Sequence, residues 1–453
     1  MSQRQSYKKQ RSQGCRILAI LGGLTIAPAL SPWSLLAQTA PQPSPAPTTY
    51  PSSLPAGNHS SLGSSRPTAS PKTTASPKPT ASPKPTMTPA PSPVPLRRTQ
   101  EVPAEASLDS LLAEKPIMSQ VPGLIRSIDH SLRYLQSDAS AADYLRLRIP
   151  GITRDRVKRS LQRFRALLLA AETPQQLQAS VRKEFEFYTT VGKDGQGTVD
   201  FTGYFEPVYP ASRTPTAEFR YPIYQRPRTF AQWPKPHPSR AELEGKDGLQ
   251  GSKGLLKGSE LVWLRDRLDA FLIQVQGSAQ LRFADGSKMT IGYAGHTQHP
   301  YVGIGRELVK DGKLKLEELS LPKVVAYFQQ RPEALDEYLP RNQRFVFFKN
   351  TEGSPALGSL GVPVTAERSI ATDKKLMPPG ALAIIQTQLP NAKLQQESVS
   401  RFVLDQDTGG AIIGPGRVDI FMGTGDGARD RAGLIHSTGK LYYLLLKDDR
   451  KGR

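Results

Sequence analysis

The 453-residue chain carries 60 Lys+Arg against 40 Asp+Glu, a net charge of +20, and one cysteine, Cys15. A single thiol excludes an internal disulfide framework, and loss of Cys15 with a cleaved N-terminal signal would leave no cysteine-based metal centre either. Eleven of the basic residues precede Glu101, the first acid, which leaves +9 for the rest of the chain and suits a polyanionic partner such as an anionic cell-wall polymer.

Arg4, Lys8, Lys9, Arg11 and Arg16 open the chain, an apolar run follows from Ile17 to about Leu30, and small residues lead through Ala37 and Ala40. That order is the pattern of a secretory signal. Gly22, Gly23 and Pro28 break the run, so it falls short of the roughly 20 apolar residues of a spanning helix. Residues 1–40 are expected to be a signal peptide or a retained N-terminal anchor, with export to the periplasm or cell wall. Cys15 precedes the run, whereas a lipoprotein cysteine follows it, so lipid attachment there is not expected. Export also argues against nucleic acid, and no basic stretch with interleaved aromatics is seen.

Residues 41–97 are rich in Pro, Ser, Thr and Ala and contain a near-repeat, Thr68–Thr73, Thr74–Pro79 and Thr80–Pro85. They hold too little apolar surface to offset ordering, and proline favours an extended tether. From 104 to 190 the chain reads as helical. Thr153 is a candidate N-cap, with Val157, Leu161, Phe164, Leu167 and Leu168 at helical spacing behind it. Thr173-Pro174 starts another helix running to about Glu186.

After Gly197 short apolar runs alternate with Gly, Asp and Pro clusters, which reads as mostly β and barrel-like. The expected strands are Thr198–Tyr204, Leu268–Val275, Gln280–Phe283, Lys288–Tyr293, Phe345–Phe348 and a closing Leu441–Lys447. Asp285-Gly286 marks a hairpin, and a helix is expected near Leu321–Gln329. On the expected Leu268–Val275 strand, Gln274 and Gln276 share one face and meet solvent or a polar ligand.

Phe201–Pro207 gathers aromatics, a hydroxyl and Glu206 around Gly203, a combination suited to gripping sugars or to an ordinary strand end. His296 and His299 lie three apart near Tyr293 and Tyr301, but no third metal ligand is evident, and no metal or other cofactor is expected. Asp405, Asp407 and Asp419 fall within fifteen residues in a strand–turn–strand pattern. Calcium coordination would need alternating oxygens that Thr408–Ile412 do not supply. A glycosidase would use two carboxylates. One working acid with structural neighbours is the third reading. Asp419 lies between Val418 and Ile420-Phe421, where desolvation would raise its pKa and favour proton donation. Asp405 is expected to cap the turn through Gly409-Gly410.

Six collinear segments carry a resemblance: Thr202–Pro207, Tyr221–Tyr224, Asp269–Ser278, Gly292–Gly295, Gly361–Val364, and Asp407–Ile412 through Asp419. Over roughly 110–450 the chain resembles the lytic murein transglycosylase A family, and its last segment is similar to the family's 3D motif. The resemblance implies a mainly β fold with N-terminal helices. In it, a double-psi β-barrel built from 98–210 and 345–453 would hold a smaller inserted β domain at 211–344, with a groove between them. It also implies Asp419 as the catalytic acid, Asp407 as its support, and Thr202, Tyr204, Gln276 and Ser278 as groove-lining residues.

The implied reaction cuts the β-1,4 bond between N-acetylmuramic acid and N-acetylglucosamine. An intramolecular hydroxyl replaces water, so one carboxyl suffices. The partner would be the peptidoglycan glycan strand and the enzyme a monomer, with contact to a membrane only through an N-terminal anchor. A muramidase-type hydrolase and a non-catalytic wall-binding protein are the alternatives. The chain departs from the family at Ile413, where a basic residue is common, and in lacking a lipoprotein cysteine.

Overall fold

The computed structural model describes residues 94–99, 109, 110, 112, 117–147 and 149–447. The expected signal or anchor at 1–40 and nearly all of the 41–97 tether lie outside these residues. The strands are β1 Leu96–Thr99, β2 Phe185–Thr190, β3 Val199–Glu206, β4 Val208–Ser212, β5 Tyr221–Tyr224, β6 Glu260–Leu264, β7 Ser278–Arg282, β8 Lys288–His296, β9 Val346–Asn350, β10 Ser369–Ala371, β11 Leu382–Pro390, β12 Gln396–Asp407, β13 Arg417–Thr424 and β14 His436–Leu446. Helices α1 Ile117–Tyr134, α2 Asp138–Arg146, α3 Arg154–Ala170 and α4 Pro174–Glu184 come before β2. They are followed by α5 Arg240–Glu244, α6 Arg267–Gln276, α7 Ile304–Lys310, α8 Leu321–Gln330, α9 Leu335–Tyr338 and α10 Asp426–Ala432.

The expected helix starts hold. The Thr153 hydroxyl accepts from Arg156 N at 3.2 Å, and the Thr173 hydroxyl accepts from Gln176 N with Pro174 at the first helical position. Val157, Leu161, Phe164 and Leu168 are buried along one stripe of α3. Phe164 meets Phe402 of β12 edge-on at 4.8 Å and so fastens the helix to the sheet. The helical reading fails at its end. Phe185 to Thr190 form a strand, with Phe185 and Phe187 buried on one face and Glu186 between them, and this strand pairs antiparallel with β14. Strand pairing overrides the helical run, which therefore stops at Glu184. Leu96, near the end of the expected tether, is buried in β1 against β2.

Six strands close on themselves in the order β14–β11–β12–β10–β13–β3 and back to β14. The pairs β10–β12 and β13–β3 are parallel and the others antiparallel. This closed barrel with helices before it agrees with the expected fold class. Val199, Phe201, Ile370, Ile420 and Tyr443 on one face of its strands and Ile384 and Leu404 on the other are buried in one cluster with α1 and α3. A closed barrel leaves no free edge along these strands.

The second sheet runs β5–β6–β4–β7–β8–β9. Its β7–β8 hairpin turns at Asp285-Gly286, as expected, with Gly286 at φ 80° and its N–H bonded to Phe283 O. Glu206, at the end of β3, ties the sheets together. Its carboxylate accepts from Gln280 Nε2 of β7 at 3.0 Å and from Thr424 Oγ1 of β13 at 2.8 Å.

One expected strand is a helix. Arg267–Gln276 is α6, capped by Asp266, whose carboxylate accepts from Leu268 N and Asp269 N, and ended by Gly277 in the left-handed region at φ 84°. Its Ala270 and Ile273 pack into the second sheet, while Leu268, Phe271 and Leu272 pack against α7, α8 and α9. A helix buried on two sides shows a continuous apolar run, which periodicity cannot tell from a buried strand. The Asp266 and Gly277 caps were the signal that distinguishes them.

Candidate active site

β13 holds Asp419 in register with Thr202 of β3 on one side and Ala371 of β10 on the other. Ala371 is also opposite Asp407 of β12. Asp407, Ala371, Asp419 and Thr202 therefore form one rung across four neighbouring strands. With neighbouring strands about 4.8 Å apart, the two aspartates are on the order of 10 Å apart at Cα.

Their hydrogen bonding sets them apart. The Asp407 carboxylate accepts from Tyr204 OH at 2.7 Å, Ser359 N at 2.8 Å and Thr408 N at 2.8 Å. The Asp419 carboxylate accepts from Thr202 Oγ1 at 2.7 Å through Oδ1, and Oδ2 has no partner among the described residues. Burial raises the pKa of both. Around Asp407 the raise is opposed by its three donors, and around Asp419 by Thr202 and the Arg417 charge, while the Asp407 charge adds to it. A carboxyl with a raised pKa and one unengaged oxygen is equipped to hand a proton to something outside the protein. Asp419 fits that role and Asp407 does not.

Asp405 does not cap the Gly409-Gly410 turn. It is fully buried and accepts from Thr372 Oγ1 at 2.7 Å and Tyr443 OH at 2.6 Å, and it pairs with Lys374. Two apart on β12, Asp405 and Asp407 would share a face of a regular strand, but the β10–β12 register shifts between Ile370 and Ala371, so Asp405 joins this cluster while Asp407 itself holds the start of the turn through Thr408 N. The same geometry settles the amides. On helix α6, Gln274 and Gln276 point apart rather than to one face. Gln274 Oε1 accepts from Arg240 and Val346 N, whereas Gln276 Oε1 accepts from Phe205 N at 3.0 Å. Gln276 thus pins α6 to β3 between Tyr204 and Glu206.

Ser278 is buried at 7% exposure and starts β7 opposite Gly292. Phe201 and Phe205 are buried as well, so of the aromatics in that motif only Tyr204 is partly open. The histidines serve backbone carbonyls, His296 Nδ1 contacting Thr297 O and His299 Nε2 contacting His237 O, both at 2.6 Å. Among the described residues no cluster of His, Cys, Asp or Glu could hold a metal ion.

Two residues from the second-sheet region also reach this end of the barrel. Arg344 donates from Nε to His299 O at 2.8 Å, and its guanidinium lies so close to Gly410 that a side chain there would overlap it. Tyr301 is close enough to Asp419 that burial and the Asp419 charge push its phenol pKa up. Neither was singled out as a site residue in the sequence, because the two loops that carry them, before α7 and before β9, are far from Asp407 and Asp419 along the chain.

The comparisons agree with this architecture. Residues 200–349 match the profile of the MltA specific insert domain and residues 368–445 that of the 3D domain. Over 257 residues the chain is 35% identical to membrane-bound lytic murein transglycosylase A of Escherichia coli strain K12, covering 56% of this chain and 67% of that one.

The chain belongs to the membrane-bound lytic murein transglycosylase A family.

The Vibrio cholerae member of that family is 33% identical over 261 residues, covering 57% of this chain and 68% of its own length. The crystal structure of E. coli MltA with bound chitohexaose aligns with a TM-score of 0.61 at 26% identity, over 78% of this chain and 95% of that one. Against this family background, Ile413 stands 76% exposed in the loop between Asp407 and Asp419.

Gly203, between Thr202 and Tyr204, has a packing reason to be glycine. A Cβ there would lie 2.8 Å from Ala432 Cα and 3.0 Å from Ala432 O on α10. Both are backbone atoms, so β3 and α10 would have to separate and carry Thr202 and Tyr204 with them. Gly203→Ala is expected to lower the melting temperature and cut lytic activity together. Wild-type values of both in a paired melting and turbidity assay would show that the close approach is dispensable.

Proposed function

We propose that this enzyme cleaves the β-1,4 bond between N-acetylmuramic acid and N-acetylglucosamine in peptidoglycan, with Asp419 as the acid and then the base. Lytic murein transglycosylase activity in peptidoglycan turnover follows from family membership. The assignment of residues is the proposal, and the observation that carries it is the free Asp419 Oδ2 beside a fully engaged Asp407.

In the first step the Asp419 proton passes to the glycosidic oxygen and the bond from that oxygen to C1 of the muramoyl sugar breaks, releasing the N-acetylglucosamine 4-hydroxyl. The C6 hydroxyl of the same muramoyl sugar then attacks C1 and gives its proton to the Asp419 carboxylate. The acid is restored, no water is consumed, and a 1,6-anhydromuramoyl end remains. A hydrolase would need a second carboxylate to activate water. The nearest, Asp407, spends its oxygens on Tyr204, Ser359 and Thr408, which favours the transglycosylase reading.

Tyr204 and Thr202 hold the two aspartates, and Gln276 holds the β3 backbone beside them. Ser278 enters only as a buried support at the foot of β7. The chitohexaose bound to the E. coli relative supports a glycan strand as the partner.

We also assign the insert to about 211–344. In support, the barrel strands fall within 199–206 and 369–446 and the second sheet within 208–350. The curated relatives are named as membrane-bound, and an exported, membrane-associated protein held by residues 1–40 fits that name. Among the described residues no helix is long and apolar enough to cross a membrane.

Mass spectrometry of digested sacculi tests the reaction. Anhydro ends, one water lighter than reducing ends, are expected. Products with reducing ends alone would replace this reading with hydrolysis.

A further inference from the structure

We infer that Arg417 is a positioning residue for Asp419, acting through the Thr202 hydroxyl to fix which carboxyl oxygen carries the acid proton. The inference rests on Asp419 being the acid. Arg417 and Asp419 are two apart on β13 and so project to the same side of the strand. Arg417 Nη2 donates to Thr202 Oγ1 at 3.0 Å, and Thr202 Oγ1 donates to Asp419 Oδ1 at 2.7 Å.

A hydroxyl has one proton. A guanidinium can only donate, so it occupies the acceptor side of Thr202 and leaves the hydroxyl proton to point at Asp419. Oδ1 is therefore held as an acceptor in every protonation state, and the exchangeable proton is confined to Oδ2, the oxygen without a protein partner. Without Arg417 the hydroxyl could rotate and accept a proton from Oδ1, turning the acid away from the glycan.

Arg417 forms no ion pair within 4.0 Å among those described, so its charge is not cancelled by a closer carboxylate. Asp200, in register with Arg417 on β3, is paired with Lys193 instead. Arg417 and Thr202 also both act to lower the Asp419 pKa against the effect of burial. Their removal should therefore raise it, and the alkaline limb of activity should move to higher pH.

The test compares full-length wild type, Arg417→Gln, Thr202→Val, Thr202→Ser and the double variant Arg417→Gln/Thr202→Val, following anhydromuropeptide release from sacculi against pH. Arg417→Gln and Thr202→Val should each lower plateau kcat/KM by about tenfold, part of what a positioned acid contributes, and shift the alkaline limb upward. Thr202→Ser, which keeps the hydroxyl, should stay near wild type. In the double variant the plateau losses should fall well short of multiplying, because both changes break one chain of hydrogen bonds.

A wild-type limb in Arg417→Gln, or plateau losses that multiply in the double variant, would overturn the inference. Asp419→Asn serves as the control for the underlying reading. If it still makes anhydro ends, the assignment of the acid fails. If it is inactive and Arg417→Gln keeps the wild-type limb, only the relay fails. Thermal melts confirm that each variant is folded.

Discussion

Asp419→Asn is expected to reduce release of 1,6-anhydromuramoyl ends from purified sacculi by at least about a hundredfold, the lower range for a positioned general acid. The amide keeps the shape and the hydrogen bond to Thr202 but has no proton to give. Its effect on stability should run the other way. Burial raises the Asp419 pKa, so the folded chain holds the proton more tightly than the unfolded chain does. Folding then loses stability as pH rises from the ordinary carboxylate range, near about 4, through the raised value. Asn carries no such penalty, so at neutral pH the variant should be at least as stable as wild type.

The activity of the wild type has the same sign. The cycle starts from the protonated acid, so kcat/KM should fall as pH rises through the raised value. An inactive but fully stable Asp419→Asn separates catalysis from folding. Retained anhydro products would remove Asp419 from the mechanism.

The second large effect belongs to a carboxylate that does no chemistry. Asp405→Ala should destabilise the chain by about 3–5 kcal/mol, the usual result of removing one partner from a buried ion pair. Asp405 is fully buried, and around it Thr372, Tyr443 and Lys374 all point at its oxygens. Alanine would leave a buried phenol, a buried hydroxyl and a mostly buried ammonium with nothing to replace the carboxylate. Lys374 also contacts the Asp407 carbonyl, so loss of Asp405 loosens the strand end that carries the second aspartate of the rung.

Urea titration with an unchanged m-value would measure the loss directly. Asp405→Asn should cost less, since the amide still accepts from Tyr443 and Thr372. A change in Asp405→Ala below about 1 kcal/mol, the scale of an ordinary single hydrogen bond, would mean that the cluster is not a structural anchor.

Much of this was legible one residue at a time. The Thr153 and Thr173-Pro174 caps, the Asp285-Gly286 hairpin and the apolar neighbours of Asp419 are local signals, and the structure carries them in those places. The failures were also physical. Leu268–Val275 is apolar on both sides because α6 is packed on both sides, and that erased its period. Phe185–Thr190 continued a helical run but found β14 to pair with. Gln274 and Gln276 looked like one polar face only while they were assumed to lie on a strand.

By itself, the sequence determined which carboxylates were available, that Asp419 sits among apolar neighbours, and through six collinear motifs the family and its reaction. Those are properties of composition and order. The resemblance already implied Asp419 as the acid and Asp407 as its support, but the hydrogen-bond partners that distinguish the three aspartates came only with the tertiary structure. Asp405 and Asp407 are two apart on one strand and look alike in the sequence. The closed barrel brings Tyr443 and Lys374 to one, Tyr204 and Ser359 to the other, and leaves an oxygen of Asp419 free. Burial and hydrogen-bond partners set a carboxyl's pKa and availability, and those partners lie up to about two hundred residues away along the chain.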